Sequence, residues 1–136
     1  MDSNVVRNLI RLGVVSSKNT ANMTVRVVFD GKENLVSAEL PVLNRGSQQA
    51  KDYWLPDVGE QVVCLFLPNS NGNGVNEGYV LGSHFSTQDA PVKSGDGIRR
   101  IDFGDGSYVE HDRGSGNLTI HATGVVTITG AEIRLN

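Results

Sequence analysis

The sequence is poor in almost every feature that would announce a chemistry. Of its 136 residues only 6% are aromatic, four are proline, three are histidine and one is cysteine, Cys64. One cysteine excludes an intrachain disulfide framework and a cysteine-based zinc site. No apolar run approaches the roughly 18–20 residues of a membrane helix. Met1-Asp2-Ser3-Asn4 lacks the basic-then-apolar order of a secretory signal, so none is expected. Positive charge is not in excess either. The formal net charge is −3 and the pI is near 5.5, which weighs against a protein living mainly on nucleic-acid phosphates. With so little proline the chain does not read as disordered low complexity. What it has in quantity is glycine, 16 of 136 residues or about 12%, against a usual share of roughly 7%. The length fits one domain, or one domain with an appendage.

Residues 5–12 predict a short N-terminal helix with Val5, Val6, Leu9 and Ile10 on one side, capped by Asp2 or Ser3 and ended by Gly13, so that 1–13 form one element. The period then changes to two. Thr24–Phe29 alternates with Val25 and Val27 on one face, and Leu35–Leu43 reads as a second strand, with the turn signal Asp30-Gly31 between them. Residues 44–52 are a polar loop, Tyr53–Leu55 a third strand and Pro56–Gly59 a turn. Gln61–Leu67 is almost continuously apolar, the pattern of a strand buried on both faces. After a second polar loop, Pro68–Glu77, Gly78–Ser83 is the fifth strand. Five short strands so close together predict an all-β fold, most simply a small closed OB-type barrel over 14–87. Trp54, Leu55, Val62, Leu65, Tyr79, Val80 and Leu81 are assigned to its core or to a subunit interface. Residues 88–97 are polar and turn-rich and read as a linker.

From Ile98 to Asn136 the chain becomes short alternating strands cut by seven glycines between Gly97 and Gly130. Leu118, Ile120 and Ala122 face one way, Thr119 and His121 the other, and Val125–Thr129 repeats the pattern with Val126 and Ile128. No helix is available to cover these apolar rows, and a lone meander of this size is marginal in water. Units of this kind become stable by stacking on neighbours or by sharing a core with other copies of the chain. Three chains around a common axis would bury one row per strand. Ile101, Phe103, Leu118, Ile120, Val126, Ile128 and Ile133 are the residues expected in that shared core.

Other features have plain structural readings. Trp54 could stack on a base or a sugar, but an acidic chain without a basic groove favours packing. Gly104-Asp105-Gly106 reads as a tight turn, since calcium-binding repeats need several copies in register. Asp102, Asp105, Glu110 and Asp112 read as a solvated outer face rather than paired catalytic acids. His111 or His121 could ligate a metal only with a second ligand at a fixed spacing, and Cys64 lies in the most apolar strand as a buried thiol. Loops 44–52 and 68–77 occupy the positions of OB ligand loops and are candidates for docking. The residues thus leave three readings open. One is a structural assembly protein, another an OB-fold module binding nucleic acid or oligosaccharide, and the third an enzyme such as a cell-wall hydrolase, for which no catalytic constellation is visible.

Leu9-Ile10-Arg11-Leu12-Gly13-Val14-Val15, Trp54-Leu55-Pro56-Asp57-Val58-Gly59-Glu60-Gln61-Val62 and Gly78-Tyr79-Val80-Leu81-Gly82-Ser83, followed by the glycine-punctuated tail, resemble the baseplate assembly protein V family, the central spikes of contractile phage tails. The chain is similar as well to the spike domains of valine-glycine-repeat proteins of type VI secretion and of R-type bacteriocins. The resemblance covers roughly residues 5–130. It implies a non-enzymatic structural protein, a homotrimer with an OB collar beneath the tail tube and a triple-stranded β-helix or β-prism over 98–136. The implied location is the baseplate of a virion or tail-like particle assembled in the bacterial cytoplasm. The implied partners are tail tube and baseplate hub proteins, a separate tip protein, and the target cell envelope during membrane piercing, with no stable nucleic-acid binding. Two features depart from the family. The tail is only 39 residues long, and the His-x-His motif that holds iron at the apex is missing, since His84, His111 and His121 are isolated. No cofactor or metal is therefore expected. A missing C-terminal segment, or a flat end capped by another protein, would explain both departures.

Overall fold

A computed structural model describes residues 3–29, 35–71 and 75–136. The chain divides into two compact units, Met1–Ala90 and Pro91–Asn136. The first unit holds a five-residue helix, α1 (Ser3–Arg7), and five strands: β1 (Ile10–Asn19), β2 (Thr24–Phe29), β3 (Leu40–Pro41), β4 (Gln61–Pro68) and β5 (Val75–Ser83). The second holds β6 (Ile98–Asp102), β7 (Tyr108–Asp112) and β8 (Leu118–His121). No helix among the described residues is long and apolar enough to cross a membrane.

In the first unit the strand order is β3-β2-β1-β4-β5, with adjacent strands antiparallel. A parallel bridge between Val42 and Val80, with the Leu43 amide donating to the Val80 carbonyl at 2.9 Å, brings the two ends of the sheet together. The result is a nearly closed five-stranded barrel, consistent with an OB-like fold. Its core is Val15, Val25, Val27, Phe29, Leu40, Val42, Val62, Cys64, Phe66 and Val80, with Leu55 packed against it. Phe29 and Phe66 meet edge-to-face with centroids 5.5 Å apart, an arrangement aromatic pairs favour.

Several boundaries differ from the sequence expectations. The helix stops at Arg7, and Ile10–Leu12, expected as its second turn, open the ten-residue β1. Gly13 does not end a helix; it is buried in the middle of that strand, opposite Phe29. A Cβ at Gly13 would run into Val27 Cγ1 and lie 2.7 Å from the Val28 carbonyl oxygen, so the strands approach there only because a side chain is missing. The missing side chain also hid the strand, because an inward position filled by glycine adds nothing to a period of two.

The expected strand over 35–43 shrinks to Leu40–Pro41 and two isolated bridges, from Val36 to Val28 and from Val42 to Val80. Here the Ser37 hydroxyl accepts the Val27 amide at 2.9 Å, taking a donor that a ladder carbonyl would otherwise receive. Tyr53–Leu55 forms no strand. It runs into the buried Pro56, which has no amide to donate. The turn expected at Asp30-Gly31 lies outside the described residues.

In the second unit β6, β7 and β8 form an antiparallel meander. The Gly104–Gly106 segment reverses the chain, with positive φ at both glycines and the Phe103 amide bonded to the Ser107 carbonyl at 3.0 Å. Asp105 accepts the Ser107 amide at 2.8 Å and, at 3.4 Å, the Thr123 hydroxyl. Those donors hold its carboxyl below the ordinary range. The strands expected at Val125–Thr129 and at Ile133 and Leu135 are not formed. Their alternation is present, but a strand also needs a ladder partner, and the chain places none beside them.

Candidate assembly interface

The β6-β7-β8 sheet has two unlike faces, fixed by its register. One carries Arg100, Asp102, Tyr108, Glu110, Thr119 and His121, and its charges are mutually satisfied. Arg100 donates to Glu110 at 3.0 Å and to both oxygens of Asp102 at 3.0 and 3.1 Å. Its guanidinium lies 3.7 Å from the centroid of the Tyr108 ring. The bonds to Asp102, then Glu110, raise the Arg100 pKa further above its already high value. Tyr108 stacks on His121 at 5.2 Å, and Lys93 reaches Glu110 at 3.6 Å. This face is self-sufficient.

The other face is not. Ile101, Val109 and Ile120 are direct cross-strand partners and form one apolar row. Ile101 and Ile120 are each 61% exposed, and Leu118 on the same face is 65% exposed. Phe103, Val126, Ile128 and Ile133 are likewise more than half exposed. Nothing in the second unit covers them. None of the seven residues expected in a shared tail core is buried in a single copy. Arg99 and His111 sit on this same face, paired with each other and flanked by Leu118. Only the register between strands shows which face His111 takes.

The barrel offers a second open surface. Val62, Cys64 and Phe66 of β4 point inward, so this strand is fully buried on one face only, not on both. Its outward residues Val63 and Leu65 are half-buried and lie beside Leu12 and Ile10 of β1 and Tyr79 of β5. Ile10, Leu12, Leu67 and Leu81 are exposed. Of the barrel residues expected in a core or interface, Val62 and Val80 are fully buried and Leu55 packs on the core. Leu65 and Tyr79 are half-buried on the outer face, and Leu81 and Trp54 are exposed. The sequence does not show this outer patch, because Ile10 and Leu12 at the start of β1 fit a helical period as well.

Trp54 stands 41% exposed at a shallow groove of about 340 Å³ that Met23, Asn44, Lys51, Asp52 and Tyr53 also line. With one cation and one anion among those residues, the groove does not have the basic lining a nucleic-acid backbone needs. The adjoining loop 44–52 is closed on itself by the Asp52 amide bonded to the Arg45 carbonyl at 3.1 Å and by a bridge between Ser47 and Lys51. Among the described residues no three His, Cys, Asp or Glu side chains cluster as metal ligands would. Burial pushes the Cys64 thiol up to about 11, partly opposed by Arg11, which keeps it protonated and unreactive.

Fold and surfaces define an all-β protein that joins a nearly closed OB-like barrel to a strand meander with an unfilled apolar face. No protein-family model matches the chain. It is 26% identical over 127 residues to the spike protein of Escherichia phage P2, an alignment covering 93% of this chain and 56% of that protein. The chain thus spans about half the length of the curated relative it matches. This likeness supports a relation to phage spike proteins.

Proposed function

We propose that this chain is the non-enzymatic central spike of a contractile injection apparatus, a phage tail or an R-type bacteriocin. In this reading it acts as a homotrimer at the baseplate and is assembled in the bacterial cytoplasm. The observation that carries the proposal is the open apolar face of β6-β7-β8. A soluble chain does not leave a continuous row such as Ile101-Val109-Ile120 uncovered without a partner, and two further copies around one axis cover it in the same way in every chain. Ile101, Phe103, Leu118, Ile120, Val126, Ile128 and Ile133 then form the shared core. Neighbouring chains supply the ladder partners that Val125–Thr129 and Ile133–Leu135 lack alone.

Mechanism follows from that assembly. Every strand of an intertwined tail is paired, so bending it breaks many ladder bonds together. A narrow rod faced by the satisfied Arg100-Asp102-Glu110 side delivers force to a small area of the target envelope. The barrel's outer patch and loop 44–52 offer docking surfaces to tube and baseplate hub proteins, and a separate tip protein caps the far end.

The test is the mass of the full chain by light scattering after gel filtration, for the parent and for Ile120→Asp. Three chains are expected for the parent and a smaller species for the variant. A parent protein that stays monomeric at tens of micromolar overturns the reading.

A further inference from the structure

The open tail face is apolar except at one end, where Arg99 of β6 and His111 of β7 are direct cross-strand partners. Leu118 of β8 lies beside His111 on the same face. The contrast with the other side of the sheet is chemical. There each of Arg100, Asp102 and Glu110 has an opposite charge within 3.0 Å. The side chains of Arg99 and His111 have no hydrogen bond or ion pair among the described residues. The register puts Asp102, Glu110 and Asp112 on the far side, so β6, β7 and β8 place no carboxylate on the face that bears Arg99 and His111.

This matters once the face is shared. If the assembly proposed above is right, three guanidiniums and three imidazoles converge at one end of an apolar core. Cations taken out of water must be compensated or the burial is costly. The face itself has no acid to do it. A divalent metal on the three imidazoles would stand against three fixed positive charges, and like charges at this range repel. An anion is attracted by the same six groups, and guanidinium forks suit the oxygens of a tetrahedral oxyanion. A tetrahedral ion also has the three-fold symmetry of the site.

We propose that the Arg99–His111 row forms, in the trimer, an axial binding site for an inorganic oxyanion of the phosphate or sulfate class. The site ties the three chains together at the Gly97 end of the tail sheet. It rests on the trimeric reading of the preceding subsection and adds a ligand to it.

The experiment uses the full chain in phosphate-free buffer, with its mass checked first by light scattering. Inorganic phosphate, then sulfate, is titrated calorimetrically at constant ionic strength set with sodium chloride. Saturable binding of about one ion per three chains is expected, with a rise in the melting temperature of the trimer. Arg99→Gln and His111→Gln should each weaken binding at least ten-fold. Arg113→Gln, at an exposed turn position paired with Asp96, should leave it unchanged. Arg99→Lys keeps the charge, loses the fork and should fall between. A trimer that shows no saturable binding overturns the anion site and leaves the spike reading standing. Binding that survives Arg99→Gln at full strength overturns it as well. A monomeric parent overturns the assembly, and the site with it.

Discussion

Replacing Gly13 with alanine tests the least expected element of the barrel. At Gly13 the new Cβ would meet Val27 Cγ1 and the Val28 carbonyl oxygen, the latter at 2.7 Å, with the Phe29 ring at 3.1 Å. Val27 is fully buried and Phe29 nearly so, and Val28 contributes backbone that is held by the β1–β2 ladder. None of the three can retreat without opening the core. Overpacking a filled interior costs about 1–3 kcal/mol, and the backbone contact puts this site toward the upper part of that range. About 2 kcal/mol corresponds to a melting temperature lower by roughly 8–16 °C in a domain of this size. The assay is thermal and urea unfolding followed by Trp54 fluorescence, which reports on the barrel because the chain has no other tryptophan. Gly124→Ala, where the added methyl meets nothing within 4 Å, is the control and should change stability by less than about 0.5 kcal/mol. If Gly13→Ala melts within about 2 °C of the parent, Gly13 is not packed between strands and the β1 assignment fails.

Two further expectations concern pH. The Cys64 thiol, raised by burial from 9.0 to about 11, gives a contribution to stability that is complete below pH 9. That contribution is lost as the pH climbs toward 11, because only the unfolded chain ionises readily in that window. Denaturation midpoints should fall over that range in the parent and stay flatter in Cys64→Ala, while a disulfide reagent at pH 8 should label Cys64 only after unfolding. Asp105 behaves in the opposite sense. Its carboxyl is held low by the Ser107 amide, so its contribution is present above the ordinary carboxylate range and disappears as the pH falls through the lowered value. Protection of the Ser107 amide against exchange, taken relative to its intrinsic rate at each pH, should fall on acidification in the parent. In Asp105→Asn, which still accepts that bond, it should stay level. An equal pH response in both proteins would show that this turn does not depend on the Asp105 charge.

Much of the fold was legible in the sequence for identifiable reasons. Val25 and Val27, the apolar run at 61–67 and the glycine-cut tail carry strong periods or breakers, and β2, β4 and the tail turns form there. The same inspection separated a barrel from a tail and found too little in the tail to fill a core. Other features were not legible. β1 was concealed because Gly13 leaves an inward position blank. The strand at 35–43 was overestimated because no pattern shows that the Ser37 hydroxyl will take the Val27 amide.

Composition and alternation by themselves determined that this is an all-β chain with more apolar strand surface than one copy can cover. Those properties depend on side-chain chemistry and local period alone. Tertiary structure decided which residues share a face, since that depends on register between strands distant in sequence. It set Tyr108 against His121 and Arg100 between two carboxylates. It also placed Arg99 and His111, one step along each strand, at the edge of the open apolar row.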